Sequence, residues 1–218
     1  VVGAAGADLD DHLSRQSRGL ADSLRKDRRR LAALGEPEFH EATDAAERQA
    51  IWAWMLSTKR SGLARRGLGG DWFESEAYAE FVAASLDRFG ADGGRRIFAL
   101  KAGGRLVAAA LCNVDPAKVE AFVTTYDPAC AAWSPGKLLL ADIVRWAFAR
   151  GLAVDLRAGH EPYKARWANR TGQVSFYVLP LTRRGAILAR MDAARRWARR
   201  SLPPGLRASI ARLLGPPG

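Results

Sequence analysis

The chain has 218 residues, 48% hydrophobic and 26% charged, with a net charge of +11, which is typical of a globular protein long enough to bury a core. No run of 18 uncharged apolar residues is present, and the first residues, VVGAAGADLDD, lack the basic start and apolar centre of a signal peptide. Cys112 and Cys130 have neither disulfide-framework nor zinc spacing, so we expect a cytoplasmic protein without a metal site.

The first third of the chain is predicted to be mostly helical. Residues 8–34 form a helix with a basic stretch, LRKDRRRLAAL, that ends before a Gly and a Pro. Residues 38–43 alternate like a short strand. Residues 44–67 form an amphipathic helix, because Asp44 suits the N-cap and Glu47 follows three residues later, as in a capping box.

The middle of the chain predicts an antiparallel meander. A Gly-rich turn leads into a helix over residues 75–89. Residues 95–114 contain two apolar runs joined by Ala-Gly-Gly, which is typical of a β-hairpin. Residues 118–128 are a third strand. We expect these three strands to lie side by side in one sheet.

The next segment predicts a parallel crossover. Residues 132–151 form a helix, 153–157 a strand, and a short helix follows before a last strand over 173–181. A right-handed crossover places strand 153–157 beside strand 118–128, with the start of the helix opening between them. The predicted fold is therefore α/β (α+β), with a mixed, mostly antiparallel sheet and flanking helices.

The last segment, residues 183–218, carries much of the net charge. It contains nine arginines and one acidic residue, Asp192. Such a segment attracts phosphates of nucleic acid or of anionic lipids. Its apolar residues have helical spacing, which predicts either a basic amphipathic helix on an anionic membrane or a helix docked on the domain. They are Ile187, Leu188, Met191, Ala194 and Trp197.

A loop before the crossover helix has features of an anion site. Ser134, Pro135, Gly136 and Lys137 bring backbone N–H groups, the positive end of the helix dipole and one lysine to one point, as a pyrophosphate requires. The longer P-loop spacing is absent, so we do not expect nucleotide hydrolysis. The alternative is that Ser134 and Pro135 only cap the helix.

A second unusual stretch is GHEPYKARWANRTG, residues 159–172. It combines two aromatic residues with several ionisable ones directly after an apolar strand, which indicates a functional site. The alternative is local structure: Glu161 and Arg166 form a salt bridge, while Tyr163 and Trp167, four residues apart, pack on one helix face.

Taken together, the run from TTYDP through SPGK to GHEPYKARW resembles the acetyltransferase-like domain of the GNAT superfamily in bacterial proteins of cellulose or exopolysaccharide biosynthesis, the CelD-like family. The resemblance covers nearly the whole chain and is strongest over residues 124–167. Two positions depart from the family pattern, because His160 replaces the usual Asp and Ala168 the usual Gly.

The resemblance also implies a domain organisation. Members of this family usually carry an upstream GNAT-like half, and this chain begins with Val. We therefore expect residues 1–36 to be a basic helix and linker from an upstream half, residues 37–182 to be the acyltransferase domain, and residues 183–218 to be a basic helical tail.

The resemblance implies acetyl-CoA or another acyl-CoA as the co-substrate, bound in the gap between two splayed central strands. The pyrophosphate would lie at the start of the crossover helix, and a backbone N–H at the end of strand 118–126 would stabilise the oxyanion. The residues that this places at the cofactor are Tyr126, Ser134, Pro135, Gly136, Lys137 and Leu138.

Catalysis by acyl transfer needs an acid for the leaving thiolate and a base for the acceptor. Tyr163 is the predicted acid, and Lys164 is the alternative electrophile that polarises the acyl carbonyl. His160 is the candidate base because its unperturbed pKa is nearest neutrality. Asp127 and Glu161 are the alternatives for the base, and the acceptor cleft is expected to include Asp127, Glu161, Arg166, Trp167 and Trp72.

The resemblance favours an acyl-CoA-dependent N- or O-acyltransferase that acts on a cell-envelope or polysaccharide precursor. A FemAB-type transferase is the first alternative; it would take its acyl group from an aminoacyl-tRNA bound by the arginines of residues 15–30 and 183–212. The second is a non-catalytic domain that keeps the fold as a membrane or synthase partner. The sequence does not separate the first two, because both use the same gap.

Overall fold

The computed structural model describes residues 1–3, 8–16, 18–65, 67, 72–90, 94–159, 161–175 and 177–201, except for the side chains of 16, 18, 72 and 195–201. The chain divides into two compact units. The first is Val1–Gly172, and the second begins at Gln173.

The first unit is built on a five-stranded sheet whose spatial order follows the sequence. Neighbouring strands are antiparallel except the last pair, which is parallel. The predicted mixed, mostly antiparallel sheet is confirmed. The strands are β1 (Pro37–Ala42), β2 (Arg95–Ala102), β3 (Arg105–Val114), β4 (Lys118–Tyr126) and β5 (Ala153–Asp155).

Turn chemistry explains the central hairpin. Gly103 and Gly104 join β2 to β3 with φ angles of 56° and 74°, a conformation that glycine adopts without strain. The middle residues of both strands are buried, because helices cover both faces of the sheet. The predicted hairpin is therefore confirmed.

Two hydrophobic cores lie on opposite faces of the sheet. One face is covered by α3 (Ala45–Arg65) and α4 (Glu76–Gly90), which bury Ile51, Trp52 and Met55. The other is covered by α5 (Pro135–Phe148), the crossover helix between β4 and β5. The predicted capping of α3 is confirmed, since Asp44 Oδ1 accepts the Glu47 N–H at 3.0 Å.

The N-terminal region contains two helices, α1 (Leu9–Gln16) and α2 (Arg18–Leu31), where the sequence predicted one. Both bury leucines in the core beside α5. The buried carboxylate of Asp142 on α5 accepts two hydrogen bonds from Arg28 of α2, both at 2.6 Å. The described residues of this region thus pack as part of the first unit, whereas the predicted role of residues 1–36 as a linker from an upstream half stays a prediction.

The predicted last strand over residues 173–181 is wrong for the residues that the structure describes there. None of residues 173–175 and 177–181 belongs to a strand, and their side chains are exposed. A strand requires a partner edge, and Val2 pairs with the edge of β5 through two hydrogen bonds to Val154, at 2.7 and 2.9 Å.

The first unit also contains the short helix α6 (Pro162–Trp167), and the second unit contains α7 (Arg183–Ser201), at the start of the basic tail. Ile187, Leu188 and Met191 are exposed. Arg184 lies three and four residues before the first two of these, so arginine and apolar side chains share one side of α7. The helix is thus less cleanly amphipathic than predicted. None of the helices within the described ranges is long and apolar enough to cross a bilayer.

Candidate active site

The site begins where two parallel strands separate. Pairing between β4 and β5 covers only Lys118 to Glu120 and Ala153 to Asp155. β4 continues for six more residues to Tyr126, while the chain after Asp155 leaves the sheet. Beyond Asp155 the edge of β4 has no strand partner among the described residues. This is the splayed strand pair that the resemblance to the GNAT superfamily implied.

A cavity of about 470 Å³ lies in this opening. Its walls come from α2, β4, the start of α5, the residue after β5, and α6 (Pro162–Trp167). Most of the lining is apolar, with a small number of polar groups, which suits an organic ligand better than a bare ion. The lining residues are Leu20, Ala121, Thr124, Tyr126, Ala131, Ser134, Pro135, Gly136, Lys137, Leu140, Ile143, Leu156, Tyr163, Arg166 and Trp167.

The start of α5 offers fewer free N–H groups than the sequence predicted. Pro135 has none, and the N–H groups of Lys137 and Leu138 both donate to the Ser134 carbonyl, at 3.0 and 3.2 Å. The Gly136 N–H has no partner among the described residues. An anion at this helix start would therefore bind chiefly to the amide of Gly136.

Ser134 itself is in a left-handed conformation, with φ 51° and ψ 48°, which is uncommon for a residue other than glycine. Its side chain makes no capping hydrogen bond to α5. Ser134 and Arg157, on the two sides of the opening, are the described non-glycine residues with positive φ. Backbone conformations of this kind often cluster at functional sites.

Gly136 packs against an aromatic ring at the end of β4. A Cβ atom at this position would lie 3.4 Å from Cδ1 of Tyr126, which is close but ordinary contact. Tyr126 is half-exposed and lines the cavity. The structure therefore brings the predicted cofactor residues Tyr126, Ser134, Pro135 and Gly136 together. Leu138, by contrast, is fully buried in the core.

Lys137 reaches the cavity wall but its ammonium group is already paired. Nζ lies 2.5 Å from Asp27 Oδ2 and donates to Ser23 Oγ at 2.6 Å, and both partners belong to α2. The Asp27 carboxylate is buried and neutralises the charge. Lys137 therefore connects α2 to α5, and its positive charge is not free for a ligand.

The short helix α6 presents Tyr163 and Arg166 to the cavity, one turn apart. Tyr163 is 49% exposed, and burial of its ring, with the negative charge of Glu161, raises the pKa of its hydroxyl. A raised pKa keeps the hydroxyl protonated, as an acid must be. Arg166 makes no hydrogen bond or ion pair with another described residue.

Lys164 and Glu161 stabilise the loop before α6. Lys164 Nζ contacts Glu161 at 2.8 Å and donates to the carbonyls of Ala158 and Arg157, at 3.2 and 3.5 Å. Gly159 allows the loop to adopt this conformation, because its φ is 143° and a Cβ atom there would clash with the side chains of Glu161 and Lys164. Lys164 does not line the cavity, and the predicted pair of Glu161 with Arg166 is replaced by Glu161 with Lys164.

Of the described base candidates, neither Asp127 nor Glu161 lines the cavity. Asp127 caps the turn after β4, accepts the Ala129 N–H at 2.9 Å and pairs with Arg105 at 2.7 Å. His160 and the side chain of Trp72 lie outside the described residues. The identity of the base therefore stays a prediction.

Neither Cys112 nor Cys130 has the lowered thiol pKa of a reactive cysteine. Burial raises the pKa of Cys112 to about 12, and burial also raises the pKa of Cys130, so neither thiol ionises readily. Within the described ranges, no group of His, Cys, Asp and Glu side chains could hold a metal ion.

Some lining residues were not predicted. Leu20 comes from α2, which had been interpreted as a linker, and no local pattern marks it as part of a site. Thr124 could have been found, since in a strand it shares a face with Tyr126 two residues later. Ala121, in contrast, reaches that face only because the register shifts between Leu111 and Cys112.

Comparison with known families agrees with this geometry. The model of the acetyltransferase (GNAT) domain matches residues 18–165, about two thirds of the chain. The chain therefore belongs to the GNAT acetyltransferase-domain family, and the five-stranded sheet with its parallel last pair is consistent with that fold. The general chemistry of this family is acyl transfer, generally with acyl-CoA. No curated protein matches the chain.

Proposed function

We propose that the protein transfers an acetyl or longer acyl group from acyl-CoA to an amine or hydroxyl acceptor. The observation that carries this proposal is the cavity between β4 and α6 at the start of α5, in a chain of the GNAT family. The apolar walls suit the pantetheine arm and the acyl chain, and the polar groups lie at the two helices that border the opening.

The acceptor nitrogen or oxygen attacks the thioester carbonyl and gives up its proton to a base, for which His160 is the candidate, and the C–S bond then breaks. The open edge of β4 beyond Asp155 is the place where a backbone N–H can stabilise the negative charge on the carbonyl oxygen. Tyr163 donates its proton to the departing sulfur, because it faces the cavity and its pKa is raised.

Arg166 is proposed to bind the phosphates of the donor. It lines the cavity and has no described partner, whereas the charge of Lys137 is neutralised by Asp27. A guanidinium group binds phosphate through two parallel hydrogen bonds, which makes it well suited to this role. The Gly136 N–H is the second proposed phosphate contact.

Arg166→Gln is expected to weaken CoA binding by about 10- to 100-fold, the loss of one charge-assisted hydrogen-bonded contact. Pantetheine, which has no phosphate, should bind the variant and the wild type alike. Calorimetry with CoA, dephospho-CoA and pantetheine measures this and shows which phosphate is involved. Lys137→Gln is the matched control, because it should lower stability by unpairing Asp27 without the same phosphate-dependent loss.

The same calorimetry, extended to an aminoacyl-tRNA and followed by an assay for acyl transfer, also tests the donor. A wild-type protein that binds none of the three compounds would contradict acyl-CoA as the donor. Binding of an aminoacyl-tRNA in its place would support the FemAB-type alternative. Binding of CoA without transfer to any acceptor would favour a non-catalytic GNAT-fold partner.

For the acceptor, we propose an amine or hydroxyl of a cell-envelope or polysaccharide precursor in the cytoplasm. The proposal rests on the likeness of residues 124–167 to proteins of exopolysaccharide biosynthesis. A screen of amino sugars and hydroxyl-bearing saccharides for acetyl transfer tests it, and acetylation of peptides alone would overturn it.

We also propose that the tail meets an anionic membrane surface. α7 exposes apolar side chains between its arginines. Electrostatic attraction between the arginines and the lipid phosphates therefore supplies most of the binding, and shallow insertion of the apolar side chains supplies the rest. Binding to phosphatidylglycerol vesicles should fall steeply as salt rises from about 0.05 to about 0.5 M. Replacing Arg183, Arg184 and Arg190 with Gln should weaken the binding to these vesicles. Salt-independent binding, or equal binding to phosphatidylcholine vesicles, would argue against this surface.

A further inference from the structure

α6, the helix that carries Tyr163 and Arg166, is too short to be stable without contacts to the rest of the protein. α6 has six residues, whereas isolated helices shorter than about 12 residues are marginal in water. Its place in the cavity must therefore come from tertiary contacts. Lys164 holds the beginning of the helix, as described above, and the contacts at its end come from the N-terminus of the chain.

His12 on α1 holds the end of α6. Its ring nitrogen Nε2 lies 2.8 Å from the carbonyl oxygen of Trp167, and because a carbonyl only accepts, Nε2 carries the proton. His12 is 5% exposed and contacts the Phe148 ring edge to face, with centroids 5.7 Å apart. The Trp167 side chain, 1% exposed, belongs to the same core as Leu13 of α1.

The first residues of the chain hold the segment that follows α6. The Gly3 N–H donates to Asn169 Oδ1 at 2.8 Å, and the Arg170 N–H donates to the Val1 carbonyl at 3.2 Å. Val2 pairs in turn with Val154 of β5. The N-terminal segment therefore bonds both to the strand that enters the site and to the chain that leaves it.

The hydrogen bond between His12 and Trp167 joins two residues outside the part of the chain that the family model matches. That match begins at residue 18 and ends at residue 165, so His12 precedes it and Trp167 follows it. We propose that His12 is a positioning residue, through which α1 holds α6 so that Tyr163 and Arg166 face the cavity. The effect on acyl transfer rests on the proposed function, whereas the effect on α6 does not.

The test compares His12→Leu with His12→Gln in the full chain. Leucine fills the space but cannot donate to the Trp167 carbonyl, while glutamine carries an N–H donor at a similar distance from Cβ. In His12→Leu we expect amide exchange in residues 163–168 to be about 10-fold faster, and kcat/KM for acyl-CoA to be about 10-fold lower. His12→Gln should restore both.

Ile51→Val is the matched control, because Ile51 is buried in the core on the other face of the sheet. It should lower the melting temperature without changing exchange in α6. Exchange in α6 that is unchanged in His12→Leu, or equally fast in His12→Gln, would overturn the proposal even if acyl transfer is confirmed. Should His12→Leu not fold, His12→Asn, whose amide is too short to reach the Trp167 carbonyl, gives the same comparison, with faster exchange supporting the proposal and unchanged exchange overturning it.

Discussion

Tyr163→Phe is expected to lower turnover by about 10² to 10⁴ while the protein stays folded. The substitution keeps the ring, its packing beside the cavity and its apolar area, and removes only the hydroxyl group. Because the side chain is 49% exposed, stability should change by less than about 1 kcal/mol. Steady-state kinetics and thermal melting of the two proteins measure these effects side by side.

The pH profile gives a second readout of the same role. An acid works only while protonated, so activity falls as pH rises through the pKa of Tyr163. Burial and Glu161 raise this pKa above the ordinary value of 10.0, so the tyrosine stays active as an acid to higher pH than an exposed one. Glu161→Gln removes the negative charge and should move the alkaline loss of activity to lower pH.

Two neighbouring variants separate chemistry from packing. Lys164→Met should act mainly through the loop before α6, since Nζ contacts Glu161 and two carbonyl groups and does not line the cavity. Trp167→Ala should destabilise the fold by roughly 3 to 5 kcal/mol, because its ring is fully buried. Full activity of Tyr163→Phe would remove the tyrosine from the mechanism, whatever the other two variants do.

Gly136→Asp is expected to weaken CoA binding by about 10² or more without harming the fold. The new carboxylate would stand beside the Gly136 N–H and repel a phosphate there. The same carboxylate lies in the first turn of α5, where a negative charge stabilises the helix by about 0.3–1 kcal/mol. A variant that melts no earlier than the wild type and no longer binds CoA is the expected result, from calorimetry and thermal melting.

Gly136→Ala distinguishes charge from bulk at the same position. A Cβ there meets Tyr126 at an ordinary contact distance, so alanine should retain most of the affinity. Gly62→Asp places the same carboxylate on α3 and should not affect CoA binding. Unchanged CoA affinity in folded Gly136→Asp would show that the donor phosphates do not lie at the start of α5.

The sequence by itself determined the elements whose signals are local. Asp44 and Glu47 mark the start of α3, Gly103 and Gly104 mark the hairpin, and Pro135 marks the start of α5. Each signal works through contacts within a few residues, so it can be interpreted without knowing the fold. The order of these elements also predicted the parallel crossover, because such connections are right-handed, whereas the splayed opening between β4 and β5 was implied by the resemblance to the GNAT superfamily.

Only the tertiary structure decided which residues of the site are available to contact a ligand. SPGK and GHEPYKARW both predicted a lysine at the ligand, yet Lys137 pairs with Asp27, 110 positions earlier, and Lys164 bonds the loop before its own helix. Likewise, Val2 pairs with Val154 of β5, and His12 bonds Trp167 across a separation of 155 residues. No local pattern encodes such pairs, because they arise from packing that the whole chain creates.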